Sequence, residues 1–194
     1  MQTILDSIEG IYSRLDKVAS NFADISSLKC PTGCGRCCDM ADTEVSQPEA
    51  QIIARYLVGH KLNRIKTLYE DFQSKAEMSG PRACIFYDEC SDLHCQVYPV
   101  RPLICRCYGY SAERDKSGTL YFPLCGHMDL SHGLQNGGAS LKILFEPHPP
   151  VMADFREEIT SLAEKGQKSR LSPLAAAVKD CLQAMGRSTE LKSR

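Results

Sequence analysis

Cysteine is the residue type that most constrains how this chain can fold. The 194 residues include 11 cysteines, a smaller share than the roughly 8–10% of small disulfide-bonded scaffolds but more than packing alone requires. Four of them lie within residues 30–38 and six within residues 84–125. An odd total cannot pair completely in internal disulfides, so we expect these thiols to have another chemical use.

The N-terminal sequence predicts that the protein works in the cytosol. Asp6 and Glu9 interrupt the apolar run that a signal peptide would need, and no stretch approaches the roughly 18 apolar residues of a membrane span. In a reducing cytosol, clustered cysteines are metal ligands or redox groups more often than they are structural disulfides. We therefore expect metal ligation.

The composition is that of an ordinary globular protein. Hydrophobic residues make up 43% and charged residues 24% of the chain, which excludes overall disorder. Lys and Arg total 23 against 24 Asp and Glu, so the strong positive charge of a non-specific nucleic-acid-binding protein is missing. The length accommodates one domain. We expect the partner to be another protein, not a nucleic acid or a membrane.

Apolar periodicity predicts a long amphipathic helix within residues 1–28. The apolar residues alternate spacings of four and three, at Ile4, Ile8, Ile11, Leu15, Val18, Phe22 and Ile25. This pattern gives one narrow apolar stripe. We expect the stripe to dock along the domain, and pairing of two copies into a homodimer through this helix is the alternative.

Further helices are predicted on both sides of the second cysteine-rich segment. Ser46 and Glu49 have the spacing of a capping box, which predicts that a helix begins there. A second helix is predicted over residues 62–72, and two more over about 151–164 and 173–185.

Residues 82–125 contain short β-prone segments separated by Pro, Gly and Asp, at residues 84–87, 97–98, 103–104 and 121–122. A hairpin turn is predicted at residues 115–118. The predicted fold is therefore a single domain, mainly α, with a small irregular α+β centre organised by Cys-ligated metal. Its segments are the N-terminal helix, a cysteine-cluster domain over residues 29–128 and a helical extension over residues 129–194.

The first cysteine cluster, Cys30-x3-Cys34-x2-Cys37-Cys38, has spacing typical of a metal site. Thiolates two or three residues apart can converge on one ion when a tight turn folds the backbone, and the neighbouring glycines permit such a turn. Adjacent side chains normally point in different directions, so one ion would rarely bind both Cys37 and Cys38. Sharing ligands between the two clusters is then the easier way to complete four-thiolate sites.

The ordered motifs resemble the YkgJ-like cysteine-cluster family, which is described as a zinc- or iron-chelating domain. The matching motifs are Cys30-x3-Cys34-Gly35-x-Cys37-Cys38, Cys84-x-Phe86, Cys95-x2-Tyr98-x2-Arg101-Pro102-x2-Cys105-Arg106-x-Tyr108 and a late Cys125. The resemblance covers roughly residues 30–128. It implies eight metal ligands, enough for two tetrathiolate sites: Cys30, Cys34, Cys37, Cys38, Cys84, Cys95, Cys105 and Cys125.

Three cysteines lie outside this set. Cys181 falls in an Ala- and Leu-rich helical pattern and is expected to be a small core residue. Cys90 and Cys107 lie beside predicted ligands, so either could replace one of the eight or act as a redox-active thiol. His94 and His127 lie close to Cys95 and Cys125, but we expect them to be exposed or capping residues.

Arg101 and Arg106 are expected to support the cofactor without ligating it. Four thiolates around Zn²⁺, or around a four-iron cluster, leave a net charge of −2 that guanidinium groups can offset. Tyr98 and Tyr108 are expected to cover the site with apolar surface.

Three functions are compatible with these features. The first is an iron–sulfur or iron protein acting in redox reactions, cluster handling or sensing, which all-cysteine ligation favours. The second is a structural-zinc interaction module. The third is an S-adenosylmethionine-dependent enzyme, because Cys30-x3-Cys34-x2-Cys37 has the spacing of the radical enzymes and the cluster domain of flagellin lysine methylases is similar.

Overall fold

Helices dominate the part of the chain that the computed structural model describes, which is residues 2–39, 43–60, 84–123, 125–128, 149–162 and 170–192. The α-helices are α1 (Gln2–Ser26), α2 (Gln47–His60), α3 (Leu103–Cys107), α4 (Met152–Ser161) and α5 (Leu174–Lys192). The strands are β1 (Glu44–Val45), β2 (Glu113–Arg114), β3 (Leu120–Tyr121) and β4 (Ser172–Pro173). The predicted mainly helical fold class is confirmed.

The chain forms two compact units, each built from two separate stretches of sequence. Unit 1 comprises Met1–Cys34 and Leu103–Glu164, and unit 2 comprises Gly35–Pro102 and Lys165–Arg194. The first cysteine cluster is therefore divided between them, because the boundary falls between Cys34 and Gly35. Within the described residues, no helix is both long enough and apolar enough to cross a bilayer.

In unit 1, α1 packs against α3 and α4. Ile8 and Leu15 are fully buried, whereas Val18 and Ile25 near the end of the stripe remain 39% and 46% exposed. The predicted docking of the N-terminal helix is thus confirmed for its first half. The Arg106 guanidinium on α3 binds the Asp16 carboxylate at 2.5 Å and ties the two helices together.

A second apolar cluster of unit 1 lies at the end of α1 and contains Phe22, Leu28, Phe122 and Met128. Phe22 and Phe122 meet edge to face, with ring centroids 5.2 Å apart. Strands β2 and β3 form the predicted hairpin. Its turn is closed by the Asp115 carboxylate, which accepts hydrogen bonds from the Ser117 hydroxyl at 2.6 Å and from the Ser117 and Thr119 amides at 2.8 Å. These bonds, the hydroxyl's above all, lower the pKa of Asp115.

Unit 2 is centred on the packing of α2 against α5. Ile53 and Leu57 on α2, Val178 on α5 and Phe86 from the cysteine-rich segment are fully buried in one core. The predicted start of α2 is confirmed, since a Glu49 carboxylate oxygen accepts hydrogen bonds from the Ser46 amide and hydroxyl at 2.9 and 2.7 Å. Strands β1 and β4 pair antiparallel beside this core.

Two of the predicted β-prone segments are helical. Residues 97–98 enter a 3₁₀ turn, Tyr98–Val100, and residues 103–104 begin α3. Pro99 and Pro102 explain both differences, because proline cannot donate a hydrogen bond to a β-ladder and favours the first turn of a helix. The helix predicted over residues 62–72 lies outside the described residues.

The burial pattern of α1 predicts very different effects for two neighbouring substitutions. Leu15→Ala should destabilise the protein by about 3 kcal/mol because it leaves a cavity among fully packed side chains. Val18→Ala, on the exposed side of the same helix, should cost less than about 1 kcal/mol. Urea unfolding of both variants measures the difference, and equal midpoints would show that α1 is not docked through Leu15.

Candidate metal centre

None of the eleven cysteines is in a disulfide, and the eight predicted ligands divide equally between the units. The unit 1 cluster is Cys30, Cys34, Cys105 and Cys125. The unit 2 cluster is Cys37, Cys38, Cys84 and Cys95. Each unit therefore contains two cysteines from the first sequence cluster and two from the second, and the sharing of metal ligands between the sequence clusters stays a prediction.

A glycine and a short helical turn position the first half of the unit 2 cluster. Gly35 has a positive φ of 59°, and the 3₁₀ helix Arg36–Asp39 follows it. The Cys38 amide donates to the Gly35 carbonyl at 3.0 Å. A Cβ atom at Gly35 would lie 3.1 Å from both the His94 Cβ and the Tyr87 ring. The turn and the close approach of the opposite loop both require glycine.

Three thiols of the unit 2 cluster are in hydrogen-bonding contact. The Cys38 thiol, which is buried, interacts with Cys37 and with Cys84, and these two hydrogen bonds, followed by burial, hold the pKa of Cys38 far above its ordinary value. The backbone joins the same segments, because the Cys84 amide donates to the Cys38 carbonyl at 3.3 Å. Residues 46 positions apart in sequence therefore meet at one point.

The thiols of Cys37 and Cys38 are in contact, whereas we expected this adjacent pair to point in different directions; that one ion rarely binds both stays a prediction. That expectation assumed an extended or irregular backbone, on which neighbouring side chains alternate. In the 3₁₀ helix with three residues per turn, successive side chains are separated by about 120°. This angle is smaller than the roughly 180° of a strand and lets the Cys37 thiol reach the Cys38 thiol, which also contacts Cys84.

Cys95 lies close enough to the other thiols to respond to their charge. Burial raises the pKa of Cys95 to about 11; the charges of Cys84 and Cys37 also raise it, whereas a hydrogen bond from the Val97 backbone and the charge of Arg101 lower it. Cys95 is aligned opposite Tyr87 by an isolated antiparallel bridge. Cys95 is thus linked electrostatically to the other thiols of the unit 2 cluster.

Contacts with Tyr98 position Arg101 beside the unit 2 cluster. Its Nε donates to the Tyr98 carbonyl at 3.2 Å, and its guanidinium lies over the Tyr98 ring, 3.7 Å from the centroid. Its positive charge favours the thiolate form of Cys95. This is the electrostatic effect that a charge-offsetting role requires, and the predicted role of Arg101 stays a prediction.

His94 and Tyr87 support the unit 2 cluster, and neither belongs to a periodic pattern in the sequence. His94 has a positive φ of 49°, its Nδ1 lies 3.3 Å from the Asp88 carbonyl oxygen, and its ring stacks on Tyr87 at 5.8 Å between centroids. These contacts close the loop that carries the exposed Cys90. The loop packs closely against Gly35, and this contact fixes the position of Cys95 relative to the turn that carries Cys37 and Cys38.

The unit 1 cluster has a different environment. The Cys30 amide donates to the Tyr110 hydroxyl at 2.9 Å, and Cys125 packs against the apolar cluster of Phe22 and Phe122. The Cys34 amide donates to the Pro31 carbonyl at 3.1 Å, which closes the preceding turn. Cys105 is half-buried on α3.

The remaining predicted residues of the site have identifiable surroundings. Arg106 is 7% exposed, pairs with Asp16 and covers the Tyr12 ring at 4.3 Å, so its described contacts join α3 to α1. Cys107 is buried, as is Cys181, which accepts a hydrogen bond from the Gln47 amide nitrogen at 3.4 Å. The core position predicted for Cys181 is confirmed. His127 is exposed.

The donor set suits a soft metal ion. Thiolates are the ligands of zinc and iron sites, and the unit 2 thiols already lie together. Among the described residues, no three or more Cys, His, Asp or Glu side chains are placed so that they could hold a metal ion as they stand. Within the unit 2 cluster, hydrogen bonds join the Cys38 thiol to Cys37 and Cys84, and metal binding to thiols displaces their protons.

Comparison with known proteins agrees with this chemistry. Residues 29–125 match the family model CxxCxxCC, whose description is "Putative zinc- or iron-chelating domain". The match covers 97 of 194 residues, which is half of the chain. No curated protein and no solved structure matches. The match confirms the resemblance inferred from the cysteine motifs, with zinc or iron as the metal.

The position of Cys38 between two other thiols predicts that its loss abolishes the unit 2 site. Cys38→Ser should lower the metal content of the purified protein by about one equivalent, because a hydroxyl is a poor replacement for a thiolate ligand. Cys181→Ser, at another buried cysteine, should retain the full metal content. Elemental analysis measures both, and an unchanged metal content in Cys38→Ser would contradict the assignment.

Proposed function

The chain belongs to the CxxCxxCC family, and from this premise we propose that it is a metal-binding protein with two tetrathiolate centres, one in each unit. The unit 2 cluster supplies one set of ligands and the unit 1 cluster supplies the other. The equal division of eight predicted ligands at the boundary between the units supports this assignment. Residues 29–125 then serve two separate centres.

The observation that carries the proposal is the contact of the Cys38 thiol with both Cys37 and Cys84. Hydrophobic packing does not require three thiols to meet, and a disulfide would join only two of them. All three are free. A site for a thiophilic ion explains why two distant segments bring these side chains to one point.

We propose zinc or iron as the metal of this centre, in agreement with the family description. Thiolates bind a single zinc or iron ion and also hold iron–sulfur clusters, so both kinds of centre fit this set of ligands.

The proposed role of the metal is to stabilise the irregular parts of both units. In unit 2, residues 84–102 contain one 3₁₀ turn and one isolated bridge, between Tyr87 and Cys95, and the segment meets the apolar core mainly through Ile85, Phe86 and Val97. Structural zinc contributes apparent binding free energies of about 10–16 kcal/mol in small peptides. That is comparable with the whole stability of a domain, about 5–15 kcal/mol.

Pairs of substitutions test whether the two centres are separate. The wild-type protein should bind about two equivalents of metal, and Cys37→Ser or Cys105→Ser should each leave about one. Combining Cys37→Ser with Cys84→Ser, both in unit 2, should still leave about one. Combining Cys37→Ser with Cys105→Ser, across the units, should leave almost none. Elemental analysis gives the stoichiometry, and retention of one equivalent by the last variant would refute the division.

Metal removal should affect residues 84–102 more than the helical core. After treatment with a chelator, backbone amides of this segment should exchange with solvent faster, because its few apolar contacts do not hold it alone. Amides of α2 and α5, which pack through Ile53, Leu57 and Val178, should retain most of their protection. Hydrogen exchange with mass spectrometry resolves the two regions, and unchanged exchange in residues 84–102 would rule out the stabilising role.

A further inference from the structure

We propose that Tyr110 is the positioning residue of the unit 1 centre, an inference that rests on the proposed function. Three different parts of this residue contact or adjoin the segments that carry the unit 1 cysteines. The contacts involve its hydroxyl, its backbone amide and its ring.

The Tyr110 hydroxyl holds the segment that contains Cys30. It accepts a hydrogen bond from the Cys30 amide at 2.9 Å, from a residue 80 positions earlier. Leu28, two residues before Cys30, is buried in the apolar cluster, whereas residues 29–33 are exposed. The hydroxyl therefore fixes the backbone where the chain leaves the core and enters the ligand loop.

The Tyr110 backbone connects to the helix that carries Cys105. Its amide donates to the carbonyl of Cys107, the last residue of α3, at 2.9 Å. The ring of Tyr110 packs against the apolar cluster of Phe22, Leu28, Phe122 and Met128, and Cys125 packs against the same cluster. One residue, through its side chain and its backbone, is thus linked to the surroundings of three of the four proposed ligands.

Gly109, the residue before Tyr110, also lies close to the segment that carries Cys125. Its φ is 79°, and a Cβ atom there would lie 2.5 Å from the Met128 Cε and 3.4 Å from the Cys125 Cβ. The turn that contains Gly109 and precedes Tyr110 therefore lies close to the loop that begins at Cys125. The Met128 amide closes this loop by donating to the Cys125 carbonyl at 3.1 Å. Tyr110 acts on the metal through these ligand segments and is not itself a ligand.

The test isolates the hydroxyl in a chain that retains only the unit 1 centre. In the full-length Cys37→Ser/Cys84→Ser background, Tyr110→Phe keeps the ring and removes the bond to Cys30. Zinc binding measured by chelator competition should weaken by about 10- to 100-fold, the typical effect of losing an outer-shell partner of a metal ligand. The control is Tyr121→Phe, which removes a hydroxyl of the same unit that donates to Glu113 at 2.7 Å and should leave zinc affinity unchanged.

A second measurement examines the hydrogen bond without metal. In the metal-free protein, Tyr110→Phe should accelerate hydrogen exchange at the Cys30 amide, and Tyr121→Phe should not. Equal zinc affinity in the two variants would overturn the positioning role. If the Cys37→Ser/Cys84→Ser parent binds no zinc, the two-centre function fails, and the role of Tyr110 fails with it; the parent's own stoichiometry separates this result from a failure of Tyr110 alone.

Discussion

The organisation of unit 2 depends on the meeting of three thiols. Cys37 and Cys38 come from a short turn that begins at Gly35, and Cys84 comes from a segment far along the chain; the backbone bond between Cys84 and Cys38 joins the same two places. Apolar packing governs the helices and buries Ile85, Phe86 and Val97 of the cysteine-rich segment, but it does not require the thiols to meet. Groups that must share a proton or a metal have directional requirements, and these fix the segment much as a cross-link would.

The helices were predictable because they follow from apolar spacing, which the sequence displays directly. Ile8 and Leu15 lie on the buried stripe of α1, and the Ser46–Glu49 pair marks the start of α2. The short elements were less predictable, since a two-residue apolar run has no period and the effect of Pro102 on its neighbours outweighs β-propensity. The contact between Cys37 and Cys38 was unpredictable for the same reason, because it depends on a local turn that no residue spacing encodes.

The candidate ligands were recognisable from cysteine spacing and from the family resemblance, but their grouping was not. Sequence order places Cys34 beside Cys37, whereas the structure assigns them to different units. Supporting residues such as His94 and Tyr110 were also invisible, because a stacking contact or a hydroxyl bond across 80 residues leaves no local pattern. Such contacts arise only after the chain has folded, from surfaces that approach each other in three dimensions.

The division of unit 2 into two stretches has a consequence for biosynthesis. Helix α2 buries Ile53 and Leu57 largely against α5, yet residues 103–164 must be synthesised between Pro102 and the stretch that contains α5. At translation rates of about 5–20 residues per second, this delay is on the order of 3–12 s. During that time the apolar face of α2 can pack against Ile85, Phe86 and Val97 but lacks α5. The unit 2 core therefore stays incomplete until the last stretch of the chain is made, and its exposed apolar surface is prone to aggregation until then.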